Sequence, residues 1–221
     1  MIKAVIFDFD GLIFDTETYE LESYQSIYKK YNVEFPLQRW YESIGSNFVF
    51  DPYEKLIHSD TKLDKNEICK ERTAIFEDSI LKKSPRDGVI NYFEQAKELG
   101  LKVALASSSS KKWIYRFLDE LDLEKYFDLI CTADDVSEVK PNPELYLKVL
   151  EHFGIQPNEA VVFEDSPNGS LAAIRANIPC VVVPNATTQN LVFDHQVAIR
   201  INSMAEIELP ELLQKLSLKQ I

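Results

Sequence analysis

The strongest constraint on the fold is an alternation of short apolar runs with helical patterns through the second half of the chain. Such alternation is typical of right-handed crossovers between parallel strands. A further apolar run at residues 2–7, interrupted only by Lys3, adds an early buried strand. The sequence therefore predicts an α/β fold with a doubly wound parallel sheet. Its later predicted strands are residues 101–106, 127–131, 160–163, 178–183 and, near the C-terminus, 197–201.

Between the first apolar run and this alternation the chain shows only helical patterns. Apolar residues recur at helical spacing from about residue 15 to residue 31 and again at residues 68–81. No strand signal is convincing from residue 37 to about residue 83. We therefore predict an all-helical domain at residues 15–84, inserted into an α/β core formed by residues 1–14 and 85–221.

Composition narrows the class of protein. The chain has 221 residues, 45% of them hydrophobic and 27% charged, which is ordinary for a globular protein. Its net charge of -12 argues against a nucleic-acid partner or an anionic membrane surface. The three cysteines have no Cys-x-x-Cys spacing, and neither a signal peptide nor a membrane span is visible, so we expect a cytoplasmic protein. We expect a monomer, although the sequence leaves an oligomer open.

Two carboxylates follow the first predicted strand. Asp8 ends the apolar run, Asp10 comes two residues later, and Gly11 then allows a turn or a close approach to a ligand. Burying two acids at a strand end is costly unless a cation or a proton partner is present. A metal ligand or nucleophile beside a proton carrier would explain this stretch, and so would an ordinary turn; the stretch alone favours neither.

Polar residues also follow the later strands. Ser107 follows the second strand, Lys140 lies in the loop after the third, and Glu164 and Asp165 end the fourth. Each has an ordinary alternative: a turn serine, a solvated lysine, and acids that cap the next helix. Because the carboxyl ends of parallel strands face one side of the sheet, we expect these residues to surround a single crevice.

The chemistry that fits this set is phosphoryl transfer. Oxygen ligands from Asp8, Asp165 and a backbone carbonyl suit Mg²⁺. Asp8 would attack phosphorus and form an aspartyl-phosphate, while Lys140 and Ser107 would hold the phosphoryl oxygens. Asp10 would donate a proton to the leaving oxygen and later accept one from water.

Four segments carry a resemblance to a known family. Residues 8–16 (Asp-Phe-Asp-Gly-Leu-Ile-Phe-Asp-Thr), 104–107, 140–143 and 163–166 resemble the four signature motifs of the haloacid dehalogenase-like hydrolase superfamily. The chain most resembles the β-phosphoglucomutase-like phosphatases, the branch with a helical cap after the first motif. This resemblance implies a Rossmann-like core with strand order 3-2-1-4-5 and an inserted all-helical cap domain.

The resemblance also implies a role for each matching residue. Asp8 and Asp10 would be the catalytic residues, as nucleophile and acid/base respectively. Phosphate would be bound by Ser107, Ser108 and Lys140. Mg²⁺ would be held by Asp8, the backbone carbonyl of Asp10, Asp165 and, directly or through water, Glu164. Thr16 would belong to the hinge of the cap, and we include Gly45, Ser46, Asn47 and Arg72 as candidate hinge or substrate residues.

The acid at position 10 and the cap indicate which member of the family this is. Asp10 favours phosphate esters over carbon–halogen bonds or phosphonates. Sugar phosphomutases resemble one another in an arginine soon after a Gly-x-Ser type turn and in a histidine early in the first cap helix. This chain has Asn47 and Glu20 at those places. We therefore predict a Mg²⁺-dependent phosphatase of a small phosphorylated metabolite, with a β-phosphoglucomutase-type enzyme and a non-catalytic phosphate-binding module as the alternatives.

Overall fold

The structure is a computed structural model that describes residues 1–45, 51–59, 63–81 and 84–219. Its centre is a six-stranded parallel sheet with strand order β3-β2-β1-β4-β5-β6. The predicted fold class and the predicted order 3-2-1-4-5 are confirmed, and β6 extends the sheet beyond β5. The strands are β1 (Ala4–Phe7), β2 (Lys102–Ala106), β3 (Leu129–Cys131), β4 (Ala160–Glu164), β5 (Cys180–Val182) and β6 (Ile199–Arg200).

Helices follow the strands as the alternation predicts. Five of them belong to the segment after residue 84: α5 (Val89–Glu98), α6 (Lys111–Glu120), α7 (Glu144–Phe153), α8 (Pro167–Arg175) and α9 (Leu209–Lys219). Local signals fix several of their ends. Ser110 and Ser166 cap α6 and α8 with their hydroxyl groups, and Gly154 ends α7 in the left-handed conformation.

The sheet is buried on both faces because its side chains alternate between two apolar layers. In β1, Val5 and Phe7 join one layer, and Ala4 and Ile6 join the other. The first layer is covered by apolar residues of α5, α6 and α9, and the second by those of α7 and α8. A strand buried on both faces reads as a continuous apolar run, which is why β1 was visible in the sequence.

Among its described residues, the predicted insertion contains four helices: α1 (Thr16–Lys30), α2 (Leu37–Ser43), α3 (Glu54–Ser59) and α4 (Lys65–Ile80). They build an apolar cluster of their own, in which Tyr24, Tyr28 and Trp40 are almost fully buried. Near the end of α4, Phe76 and Ile80 instead pack into the core layer. We call α1–α4 with their connections the cap; the boundaries at residues 14 and 84 stay a prediction.

Among the described residues, no helix combines the length and the apolar character that a membrane crossing requires.

Candidate active site

Matched strand ends bring the predicted site residues to one edge of the sheet. Phe7 of β1 is in register with Leu105 of β2 and with Phe163 of β4, so the three strands end within one residue of the same level. Asp8 follows β1 directly and Ser107 follows β2. Glu164 is the last residue of β4, and Asp165 follows it. The crevice expected at this edge is therefore present.

Lys140 links two of these acids. Its ammonium is buried, and it donates to Asp8 Oδ1, to Glu164 Oε1 at 2.7 Å and to the carbonyl of Ala106 at 2.8 Å. Burial lowers the pKa of Lys140, but the carboxylates of Asp8 and Glu164 outweigh burial and leave the pKa raised. Lys140 therefore stays charged and neutralises the nucleophile candidate; its phosphate-binding role stays a prediction.

The donor set at this edge fits a divalent cation. Carboxylate oxygens of Asp8, Glu164 and Asp165 lie within 4.8 Å of one another, and all three residues are buried. Asp165 Oδ1 is buried without a hydrogen-bond partner among the described residues. Burial raises the pKa of Asp8 to about 8 even though Lys140 opposes the shift, and burial also raises that of Asp165, with Glu17 and Asp8 adding to it. A cation would satisfy the orphaned oxygen and stabilise the ionised acids.

Glu164 is fixed by the protein itself. Its Oε1 accepts from Lys140 and from the Tyr146 hydroxyl at 2.6 Å. Its Oε2 accepts from the backbone N–H groups of Asp165 and Ser166 and from the Ser166 hydroxyl at 3.1 Å. Gly169 of α8 leaves the space that this carboxylate occupies, because an added Cβ would lie 1.9–2.2 Å from its atoms. With both oxygens engaged, Glu164 suits a supporting or water-mediated role toward a metal.

Asp10 lies in a cradle of three donors. Its Oδ1 accepts from the Thr16 hydroxyl and from Trp113 Nε1, each at 2.8 Å, and its Oδ2 accepts from the Ser109 hydroxyl at 2.6 Å. Ser107 Oγ is 3.5 Å from the same Oδ2. Sequence reasoning missed Trp113 and Ser109, because a tryptophan at helical spacing and a serine in a loop after a strand both have ordinary structural explanations. The place of Ser109 in a serine run directly after a strand was the only available signal.

The serines after β2 divide between the core and the cap. Ser107 is buried and accepts from the N–H of Ser109 at 3.0 Å. Ser108 donates to the carbonyl of Gly45 in the cap at 3.1 Å. The predicted phosphate-binding residue Ser107 therefore lies beside Asp10, whereas the hydroxyl of Ser108 faces the cap.

The cap covers the crevice and encloses a cavity of about 340 Å³. Asn168 of α8 donates to the carbonyl of Ile44 at 2.7 Å, and Gly45, at φ 76°, lies so close that an added Cβ would be 2.1 Å from Ser166 Oγ. The cavity is lined by Asp8, Asp10, Ser107–Ser110 and Trp113 from the core and by Thr16, Glu17, Glu20, Trp40, Ser43, Ile44 and Gly45 from the cap side.

Of the other candidate residues of the cap, only Arg72 lies in the part of the chain that the structure describes. Ser46 and Asn47 lie outside the described residues. Arg72 does not line the cavity: its Nη1 is 3.5 Å from Glu20 Oε1 and 3.4 Å from Ser23 Oγ, and its guanidinium lies over the Tyr24 ring at 4.8 Å. A substrate role for Arg72 stays a prediction, and in this structure any such role would pass through Glu20.

One known protein family matches most of this chain. Residues 5–183 match the family model described as haloacid dehalogenase-like hydrolase. The chain belongs to the haloacid dehalogenase-like hydrolase family. The family expected from the four motifs is confirmed, and the protein is an enzyme, a phosphatase of this superfamily.

Individual relatives match 80% or more of this chain. The chain is 47% identical over 221 residues to the "Putative phosphatase YhcW" of Bacillus subtilis, covering 98% of this chain and 99% of that one. It is 36% identical over 183 residues to the "Phosphorylated carbohydrates phosphatase" of Thermotoga maritima, covering 80% and 82%. A crystal structure named "putative beta-phosphoglucomutase" from Thermotoga maritima matches with a TM-score of 0.75 and 29% identity, covering 96% and 99%.

Proposed function

We propose that this protein is a Mg²⁺-dependent phosphatase that hydrolyses a small phosphorylated metabolite, a sugar phosphate or a similar phosphomonoester, through an aspartyl-phosphate on Asp8. The observation that carries the proposal is the placement of Asp8 and Asp10 in one capped cavity, with Lys140 and Asp165 behind Asp8. The relative named for phosphorylated carbohydrates supports the substrate class.

The first step transfers the phosphoryl group to the protein. An oxygen of Asp8 forms a bond to phosphorus while the bond from phosphorus to the ester oxygen breaks. Asp8, Asp165 and the backbone carbonyl of Asp10, with Glu164 in support or through water, would hold Mg²⁺, which supplies charge neutralisation for the phosphate when bound. Lys140 and Ser107 would stabilise the phosphoryl oxygens.

Asp10 carries the proton in both steps. Its proton passes to the leaving ester oxygen in the first step, and in the second it accepts a proton from the water that attacks phosphorus and releases phosphate from Asp8. The donors Thr16, Trp113 and Ser109 hold this carboxyl in one orientation. A fixed orientation matters because a proton donor must reach a single oxygen.

The cap would select the leaving group and exclude water from the reacting atoms. Its side of the cavity offers Glu20 and Ser43 beside apolar Trp40 and Ile44, a mixture that suits a polar, uncharged organic group. We further propose that the enzyme acts in the cytoplasm as a monomer, without a nucleic-acid or membrane partner, in keeping with its net charge of -12.

A β-phosphoglucomutase-type activity is the second candidate, favoured by the likeness to the Thermotoga maritima structure of that name. Against it stand Glu20 and Asn47 at the positions where the mutases resemble one another in a histidine and an arginine. A mutase would isomerise a hexose 1-phosphate only when primed with a bisphosphate, and it would release little free phosphate.

The proposal is tested by phosphate release from a panel of sugar phosphates, phosphoglycolate and nucleotides, with a primed mutase assay in parallel. We expect Mg²⁺-dependent release of phosphate from a sugar phosphate, lost with EDTA and in Asp8→Asn. Asp119→Asn, an exposed acid of α6, is the matched control and should keep full activity. Turnover by Asp8→Asn at the wild-type rate, or isomerisation without hydrolysis, would refute the proposal.

A further inference from the structure

Glu17 is a buried acid that the reaction described above does not use. It lies in the first turn of α1, and its residue is only 7% exposed although glutamate is rarely buried. It lines the cavity on the cap side, and its Oε2 accepts from Asn185 Nδ2 at 3.1 Å. Glu17 is also hydrogen-bonded to Asp165, and two buried carboxyl groups in contact require a proton or a cation between them.

Asn185 joins Glu17 to the candidate metal centre. This residue follows β5, and its Nδ2 also donates to Asp165 Oδ2 at 2.7 Å and contacts the carbonyl of Gly11 at 3.2 Å. One amide nitrogen therefore holds a carboxylate from the start of the cap and a carboxylate from the end of β4.

The orientation of this amide is fixed by its other end. Asn185 Oδ1 accepts from the backbone N–H groups of Thr187 at 2.8 Å and Thr188 at 2.9 Å. A flipped amide would point its NH₂ group at these two donors and leave all of them unsatisfied in a buried place. Asn185 therefore presents its nitrogen, and only its nitrogen, to the two acids.

As a result, the two carboxylate oxygens of Asp165 have different surroundings. Oδ2 is occupied by Asn185, whereas Oδ1 is the buried oxygen without a partner among the described residues. Gly11 makes room for this cluster, because an added Cβ would lie 2.4 Å from Asp165 Oδ2, 2.6 Å from Asn185 Nδ2 and 2.7 Å from Glu17 Oε2.

We propose that Asn185 is a positioning residue for the metal centre and that Glu17 is an additional carboxylate of that centre, held beside Asp165 by the Asn185 amide. By bonding Oδ2, Asn185 leaves Asp165 Oδ1 available to a cation, and Glu17 would add negative charge beside Asp165. This inference rests on the Mg²⁺ site of the proposed function. Groups that orient a metal ligand typically change metal affinity 10–100-fold when they are removed.

The test is Mg²⁺ binding to the full chain, measured by calorimetry and by the rise in Tm that Mg²⁺ produces. We expect Glu17→Gln and Asn185→Ala each to weaken Mg²⁺ binding roughly tenfold or more. Glu22→Gln, an exposed acid on the same helix, is the control and should leave the affinity unchanged. The double variant should lose less than the product of the single losses, because both act through one amide.

The activity readout separates positioning from structural damage. At saturating Mg²⁺ we expect kcat of both variants to recover to within a few-fold of wild type, with the loss confined to the Mg²⁺ concentration required. Wild-type Mg²⁺ affinity in folded Glu17→Gln overturns the proposal even if Asn185→Ala does not fold, and so does a wild-type protein that binds no Mg²⁺. Mg²⁺ binding with the expected variant effects but without phosphate release would refute the proposed function alone.

Discussion

Gly169→Ala is expected to destabilise the protein, although alanine is the better helix former. Gly169 lies inside α8, where replacing glycine by alanine normally stabilises by roughly 0.5–1 kcal/mol. Here the added Cβ would lie 1.9–2.2 Å from the carboxylate of Glu164, far inside contact distance. Either this carboxylate or the helix must move, so the sign of the effect depends on how firmly Glu164 is held.

Glu164 is held by five bonds in a fully buried place. Lys140 and Tyr146 donate to one oxygen, while two N–H groups and the Ser166 hydroxyl donate to the other. Disrupting a buried ion pair of this kind costs about 3–5 kcal/mol. Subtracting the gain in helix propensity leaves a net loss of about 2–4 kcal/mol in the free energy of unfolding.

Urea unfolding of the wild type and the variant measures this loss, and Mg²⁺ titration should show weaker binding because Glu164 has moved. Gly154→Ala is the matched control: an added Cβ there meets nothing within 4 Å, so only its left-handed φ of 62° is strained. Strain of that kind costs about 1–2 kcal/mol and should leave Mg²⁺ binding intact. A Gly169→Ala variant as stable as the wild type would show that Glu164 is not fixed as described.

Three further predictions concern the cavity. Burial raises the pKa of Glu20 to about 7, while Arg72 lowers this pKa and Asp10 raises it. Because the folded protein holds this proton more tightly than the unfolded chain does, the free energy of unfolding falls as pH rises through that value. Glu20→Gln should therefore flatten the fall in Tm between about pH 5 and pH 8. Trp113→Phe removes one donor to Asp10 and should lower kcat roughly 10- to 100-fold and also lower Tm, because a hydrogen bond to a charged group is worth about 1.5–3 kcal/mol. Gly45→Ala places a Cβ against Ser166 Oγ at a φ of 76° and should lower kcat/KM about tenfold by strain of about 1–2 kcal/mol, measured in the phosphate-release assay.

The residues at the carboxyl edge of the sheet could be predicted, because buried strands are visible in the sequence as apolar runs and their direction follows from the alternation with helices. A strand buried on both faces is an apolar run, and in a parallel sheet the residues after each run must share one edge. Asp8, Ser107 and Asp165 follow their strands in matched register, so their proximity needed no knowledge of side-chain conformation.

The partners of Asp10 were not predictable by the same means. Trp113 lies 103 residues from Asp10 and sits on a helix whose apolar face explains it without reference to the site. Its ring packs against Phe76 and Phe117, so the residue has a packing role as well as a polar contact with Asp10. Apolar periodicity says which face of a helix is buried, but not that an indole N–H on that face reaches a carboxylate.

Glu17 and Asn185 escaped prediction for a related reason. Glutamate in the first turn of a helix has a sufficient explanation in the helix dipole, and asparagine after a strand is an ordinary turn residue. Only the Asn185 amide, which bonds both Glu17 and Asp165, distinguishes these two residues, and this cluster depends on the space that Gly11 leaves.

The cap and the acid/base candidate are joined by one residue. Thr16 is the first residue of α1, and its hydroxyl donates to Asp10 Oδ1 at 2.8 Å. Ser108 and Asn168 fasten the same cap to the core through the carbonyls of Gly45 and Ile44. Opening the cap must break these two bonds, and any rotation of the start of α1 would release Asp10 from one of its three donors. The position of the cap in this structure therefore supplies one of the three donors that hold Asp10, and we expect proton transfer by Asp10 to depend on that position.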